Sequence, residues 1–320
     1  LTGCYGDYAQ NWYDQGLAVD PNNPDILLMS TVDIFKSTNG GTTFTDKTCG
    51  YAGGTTVHVD HHALAYVPGS STTLLAGSDG GAYVSTNGGE SYTQVNSSLS
   101  TMEFYSGDIT QNFATAATPG ANGGMQDNGS GVYVWAAGNP GPAVWQLRKG
   151  GDGMFARIEP MLGQRWYQES QNGALSVSTT GAYGAQTTAT GAWTSDRLSF
   201  VFPYEIQKNG CPGTGCTHMI AGSYRVYESI NGAIGATAAA RWYVNSGDLT
   251  KNTLVDRSFI NQLNYAWSDN TKAIVGTNDG NVQMGFNLGT GTANTAVWVN
   301  VTGSNAVLPN RPILDVALDP

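Results

Sequence analysis

Two glycine-rich stretches hold the residues with the most chemistry to offer. Gln126-Asp127-Asn128-Gly129 and Gly150-Gly151-Asp152-Gly153 each present one carboxylate in a setting that permits close backbone approach. Two carboxylates flanking a cleft can hydrolyse a glycosidic bond, one protonated as general acid and the other activating water. Inversion calls for a separation of roughly 6.5–9.5 Å. Asp127 and Asp152 are the first choice for such a pair, with Asp60 and Asp79 as substitutes. Asp60 sits in a second stretch, Val57-His58-Val59-Asp60-His61-His62-Ala63-Leu64, which holds three of the four histidines. His58, Asp60 and His62 alternate, which predicts that they share one side of an extended strand. Histidine and carboxylate together can bind a transition metal, but such a cluster more often orders a loop through hydrogen bonds. No metal and no cofactor is assigned. The chain contains no nucleophile elbow for Ser-His-Asp chemistry, no phosphate loop and no dinucleotide fingerprint.

The elements that must carry these residues are set by a repeat. Ser37-Thr38-Asn39-Gly40-Gly41-Thr42-Thr43-Phe44 recurs 48 residues later as Ser85-Thr86-Asn87-Gly88-Gly89-Glu90-Ser91-Tyr92. Asn-Gly between alternating runs is a strong hairpin signal, and a period in the forties points to propeller blades. Leu17-Ala18-Val19-Asp20-Pro21 is matched at the end by Val316-Ala317-Leu318-Asp319-Pro320, and between them by Leu64–Pro68 and Ala156–Pro160. Weaker equivalents are Gly107–Thr110, Phe200–Pro203 and Asn264–Trp267, and degenerate octets begin at Ser178 and Ser229. The expected fold class is all-β, a β-propeller of four-stranded blades over residues 1–320. Six blades plus part of a seventh are expected, in a seven-bladed ring. Either further sequence supplies the rest of the last blade, or Leu1 to Asp14 closes the ring.

Blade geometry then sorts the loops. With strands A to D running outward, the octets are C–D turns. The B–C loops hold Asp79, Asp127, Asn172 and Asp279, and the D–A loops hold Asp60-His61-His62, Asp152, Asp196-Arg197 and Asp256-Arg257. Asp60, His61, His62, Asp79, Asn172 and Asp279 are therefore candidates for one ligand-facing side, where convergent polar groups would meet. Asp-Gly and Asn-Gly also form ordinary turns, which is the simpler role for any one of them.

The octet resembles the Asp-box, or BNR repeat, of sialidases, sortilin-type receptors and xyloglucanase-type propellers, where the motif reads Ser-x-Asp-x-Gly-x-Thr-Trp. Asn stands here in place of Asp. The resemblance implies a structural role for Ser37, Asn39, Gly41, Phe44, Ser85, Asn87, Gly89 and Tyr92, and it covers mainly residues 16–175. A sialidase is excluded on its arginines. The chain has eight, none before Arg148, and its one Arg-Ile pair, Arg157-Ile158, falls in a predicted inner strand. The resemblance leaves two functions: a secreted or cell-surface binding, interaction or structural module, or a glycoside hydrolase of xyloglucanase-like type.

Composition bounds the partners. The 320 residues include 43 glycines and only 12% charged residues, which suits short strands and tight turns. A net charge of −10 with no basic patch argues against nucleic acid and anionic membranes. No apolar run is long enough for membrane insertion. Polysaccharide or extracellular protein is the expected partner, and self-assembly is compatible with the composition. Cys211 with Cys216 can close a small loop, which leaves Cys4 with Cys49. Disulfides, and hence an extracellular or cell-surface location, are expected over zinc. Three sequons, at Asn96, Asn128 and Asn300, fit that location.

Overall fold

The computed structural model describes residues 4, 10, 12–52, 57–99, 101–111, 113–116, 118–135, 145–303 and 307–318. The chain divides into two compact units, Leu1–Met102 and Glu103–Pro320. Both consist of four-stranded antiparallel sheets whose strands pair in chain order. This meander is the strand order of a propeller blade, and the fold is an all-β propeller type.

The first unit holds two blades. One comprises β1 (Gly16–Asp20), β2 (Asn23–Ser30), β3 (Ile34–Ser37) and β4 (Thr45–Asp46), and the other β5 (His61–Tyr66), β6 (Leu74–Ser78), β7 (Gly81–Ser85) and β8 (Thr93–Gln94). Leu28, Ile34, Leu74, Ala76 and Tyr83 form its core. The period of two is plain in β6, where Leu74 and Ala76 are buried and Leu75 between them is exposed.

The second unit holds four blades. They are β9–β12 (Phe104–Ile109, Gly120–Met125, Gly129–Val134, Gln146–Lys149) and β13–β16 (Gly153–Ile158, Trp166–Ser170, Ala174–Ser178, Gln186–Thr188). Then follow β17–β20 (Tyr204–Ile206, Met219–Gly222, Val226–Ser229, Tyr243–Val244) and β21–β24 (Ile260–Tyr265, Lys272–Thr277, Val282–Phe286, Val297–Asn300). Central strands such as β18 and β19 are buried along their whole length, as expected for a sheet covered on both faces. The long segment between β16 and β17 drives Trp193 into the core, where it packs on Phe202, Tyr227 and Trp242 with ring centroids 4.7, 5.3 and 5.2 Å away. Trp193 Nε1 donates to Gly173 O at 3.0 Å, which anchors this loop to the turn between β14 and β15.

The octets are built alike. Ser37 Oγ donates to Asn39 Oδ1 at 3.0 Å and accepts from Gly41 N at 2.9 Å, while Thr43 N donates to Asn39 Oδ1 at 2.9 Å. Ser85, Asn87, Gly89 and Ser91 repeat the set at 3.0, 2.9 and 3.0 Å. A third copy follows β19, where Ser229 Oγ donates to Asn231 Oδ1 at 2.9 Å and accepts from Ala233 N at 2.9 Å. At Ser178 the pattern fails. Thr180 stands where the others have Asn, and Ser178 Oγ turns to Gly181 O at 2.6 Å.

Two strand expectations need correction. Phe200–Pro203 precedes its strand rather than forming it: Pro203 has no N–H to donate, so only its carbonyl pairs, accepting from Gly222 N at 2.9 Å, and the strand itself begins at Tyr204. The Val316 segment is extended but forms no strand among the described residues. It lies on the last blade instead: Ile313 N donates to Thr277 O at 3.0 Å, and a Cβ on Gly276 would strike Ile313 and Val316. Asp319, Pro320 and most of Leu1 to Asp14 lie outside the described residues. Both expected disulfides are present, Cys4–Cys49 and Cys211–Cys216.

Candidate functional site

In the first unit the histidine stretch does not run as one strand. Asp60 has φ +63°, so the alternation breaks there and β5 starts at His61, with an irregular register before Ala63. His61 consequently turns fully inward and its ring is not ligand-facing. Among the described residues neither ring nitrogen has a hydrogen-bond partner, and burial pushes its pKa down to about 4. His62 stays half-exposed, with Nε2 2.8 Å from Asp79 Oδ1 and 3.7 Å from Asp14 Oδ1. Gln10 Nε2 donates to Asp14 Oδ2 at 3.1 Å and to Asp60 Oδ1 at 3.4 Å. Burial, then the charges of Asp14 and Asp79, raise Asp60 to about 6. Burial raises Asp14 as well. The cluster orders the loop through His–carboxylate contact.

In the second unit the candidate carboxylates serve the loops that hold them. Asp127, in the β10–β11 turn, has φ +57°, and its N–H donates to Asp152 Oδ1 at 3.1 Å. Asp152, between β12 and β13, donates its own N–H to Gln171 Oε1 at 3.0 Å. The surplus glycine has a structural cause. A Cβ on Gly124 would land on the Met154 carbonyl and one on Gly153 on the Gly129 carbonyl, so β13 could not approach so closely. Asn172 also has a positive φ, +60°, and its N–H bonds Phe200 O at 3.0 Å. Asp279 is fully buried and faces no ligand. Burial would raise its pKa, but hydrogen bonds from Thr277 Oγ1 (2.6 Å), Thr253 N (3.2 Å) and Ser258 outweigh that and hold it low.

On the B–C and D–A side of this unit an open bowl of about 660 Å³ is lined by Asn172, Asp196, Arg197 and Asp256 among others. Its floor is rigid. Asp196 accepts from Arg225 Nε (3.0 Å) and Nη2 (2.9 Å), Tyr227 Oη (2.8 Å) and Ser223 Oγ (2.7 Å). Arg197 lies over the Tyr224 ring at 4.6 Å and reaches Asp248 at 2.6 Å.

A second, tighter cavity of about 260 Å³ opens at the other end of the inner strands. Asp108 of β9, Arg157 of β13, Glu205 of β17 and Trp267 beyond β21 line it. Arg157 Nε contacts both Glu205 oxygens at 3.3 Å, and its Nη1 donates to Ser106 Oγ at 2.8 Å and Ala156 O at 2.9 Å. The guanidinium carbon sits 4.9 Å from the Phe155 centroid. Asp108 Oδ2 accepts from Ile158 N at 2.8 Å and Oδ1 from Ile109 N at 3.0 Å. Burial raises Asp108, against the pull of the Ile158 bond and Arg157. Sequence reasoning placed Arg157 on an inner strand but missed the site. The available signal was spacing: Asp108, Arg157 and Glu205 fall 49 and 48 residues apart, the blade period.

The three sequons are engaged within the fold. Asn96 Nδ2 donates to Gly80 O at 2.8 Å, Asn128 Nδ2 to Gln126 O at 2.9 Å and Asn300 Nδ2 to Asn281 Oδ1 at 2.9 Å.

No family model matches the sequence, and no curated protein matches it. Solved structures resemble its fold. An ancestral GH74 enzyme aligns at a TM-score of 0.40 and 17% identity over 90% of this chain and 38% of that one. Sqt1 of Saccharomyces cerevisiae aligns at 0.42 and 14%, covering 93% and 74%. YCF48 from Cyanidioschyzon merolae aligns at 0.40 and 10%, covering 92% and 85%. The chain thus spans well under half of the GH74 enzyme. The fold assignment rests on strand order, and no function follows from likenesses at this level.

Proposed function

We propose that the chain is a secreted or cell-surface binding module that engages a polysaccharide or an extracellular protein through its B–C and D–A loops. The observation that carries this reading is the bowl of the second unit. It is open and polar, and the Asp196–Arg225 pair and buried Trp193 hold it in shape, so little ordering entropy opposes binding. The two disulfides suit an oxidising compartment. The test is binding of the purified chain to immobilised neutral polysaccharides and extracellular matrix proteins, with Asp256→Ala and Arg197→Ala alongside. A ligand lost in both variants supports the bowl. A ligand retained by both removes the bowl as the binding face.

One contact favours the second reading, a glycoside hydrolase. The Asp127 N–H bond to Asp152 brings two carboxylate-bearing loops of adjacent blades together. Reducing-end release from xyloglucan and mixed-linkage β-glucan tests it. Release abolished by Asp127→Asn or Asp152→Asn supports hydrolysis, and no release from either polymer by folded protein rejects it.

A further inference from the structure

We propose that the cavity formed by Asp108, Arg157, Glu205, Lys208 and Trp267 is a binding site for a single uncharged sugar ring, at the opposite end of the inner strands from the bowl.

Charge comes first. Glu205 already serves both cations, Arg157 at 3.3 Å and Lys208 at 3.6 Å. Asp108 balances the remaining positive charge, so the four ionised groups sum to zero. A simple anion finds both cations answered by a carboxylate, and a simple cation finds both carboxylates near a fixed positive group. A neutral ligand rich in hydroxyls suffers neither conflict.

The polar groups are also fixed before any ligand arrives. Arg157 is held by Glu205, Ser106 and the Ala156 carbonyl, and lies over Phe155. Asp108 is oriented by two backbone N–H groups. Each of its carboxylate oxygens has one lone pair committed and one to offer. Charged acceptors and donors form the stronger class of hydrogen bond, and preset ones lose little entropy on binding.

One wall is apolar. Trp267 is 53% exposed although it lines a cavity, and Ile109 is 61% exposed beside it. An exposed indole next to oriented hydrogen-bonding groups matches the two sides of a pyranose, whose C–H face is apolar and whose hydroxyl rim is polar. The volume, about 260 Å³, lies just under the usual range for small-molecule sites and suits one ring rather than a chain segment.

This site is independent of the bowl, and the experiment separates them. Saturation-transfer NMR and titration calorimetry are run on the full chain with D-glucose, D-galactose, D-mannose, D-xylose, acetate and choline. Saturable binding of at least one neutral sugar is expected, with neither acetate nor choline competing. Trp267→Ala and Asp108→Asn should each weaken it about tenfold. Trp267→Phe should recover part of the loss. Asp256→Ala, in the bowl, should leave sugar affinity unchanged, so failure of the bowl reading leaves this result standing. Trp267 is exposed, so its replacement should not move Tm, which keeps a lost signal from being mistaken for unfolding. Absence of binding by all four sugars overturns the proposal. So does sugar binding that survives both Trp267→Ala and Asp108→Asn, or preferential binding of acetate or choline.

Discussion

Residues 1–102 carry nine acidic side chains and two basic ones, whereas residues 103–320 carry fifteen and twelve. Carboxylates meet different fates in the two units as a result. In the second, acids that face other charged groups are answered by a cation, as in Asp196–Arg225, Glu205–Arg157 and Asp269–Lys272. In the first, the two lysines are both spent on Glu90. Other described acids depend on backbone N–H and hydroxyl groups, as Asp20 does on Asn22, Asn23 and Ser71, or crowd one another, as Asp14, Asp60 and Asp79 do around His62. The lesson is that a carboxylate's chemistry follows its nearest donor rather than its residue type.

The largest effect is expected where a buried acid of the second unit is satisfied without a cation. Glu159 is fully buried, and its two oxygens accept four backbone N–H bonds, from Met161 (2.9 Å), Leu162 (2.8 Å), Gly163 (3.2 Å) and Cys216 (2.7 Å). Glu159→Ala orphans three of the four donors, since Gly163 N keeps the Glu159 carbonyl at 3.1 Å, and it unties the Cys211–Cys216 loop. It should cost about 3–5 kcal/mol in urea unfolding. A cost below about 1 kcal/mol would show that water replaces the carboxylate, and that neat satisfaction is not what stabilises this unit.

Next is the crowded acid of the first unit. Asp60 has a folded pKa of about 6 against an ordinary 3.8, so between those values the folded state binds the extra proton. Its contribution therefore falls as pH rises through that window, and at pH 7 ionised Asp60 costs stability. His61 acts in the opposite sense. Its folded pKa is about 4 against 6.5, so stability is lost as pH falls from 6.5 towards 4. In the native chain the two slopes oppose each other. Asp60→Asn keeps a residue that tolerates φ +63° and removes one slope. It should raise stability at pH 7 by about 2 kcal/mol and leave a protein that weakens steeply on acidification. Thermal melts at pH 7 and 4.5 read both changes. Equal pH slopes in variant and native chain would mean that Asp60 ionises normally.

Much of the fold was legible because it is written in local chemistry. The octets, the B–C and D–A turns and the cysteine pairing depend on residues close in sequence or on simple elimination. Burial of particular site residues was not legible. The register slips next to His61 and between Ile260 and Gln262, and one slipped residue exchanges the inner and outer faces of a strand. That is why His61 is hidden while His62 is not. The Asp108–Arg157–Glu205 cavity was hidden for another reason. Each residue is alone in its own strand, and only registering three blades against one another reveals that they meet.

The smallest effects lie in the octets, where the two units can be compared atom for atom. Asn39 and Asn231 accept the same serine bond but donate differently. Asn39 Nδ2 meets Thr43 Oγ1 at 2.9 Å, and Asn231 Nδ2 meets the Ala240 carbonyl at 2.9 Å. A hydroxyl can rotate and donate, whereas a carbonyl cannot. Asn39→Asp should therefore change stability by no more than about 0.5 kcal/mol. Asn231→Asp sets a carboxylate oxygen against a carbonyl oxygen and should cost about 1–2 kcal/mol. The first unit's excess of negative charge works the other way, adding a long-range penalty to Asn39→Asp that salt would screen. Chemical unfolding of both variants at low and high salt separates the two causes. If Asn231→Asp is the costlier at both salts, the local donor decides the outcome. If Asn39→Asp is the costlier and salt relieves it, the net charge of the unit outweighs the single contact.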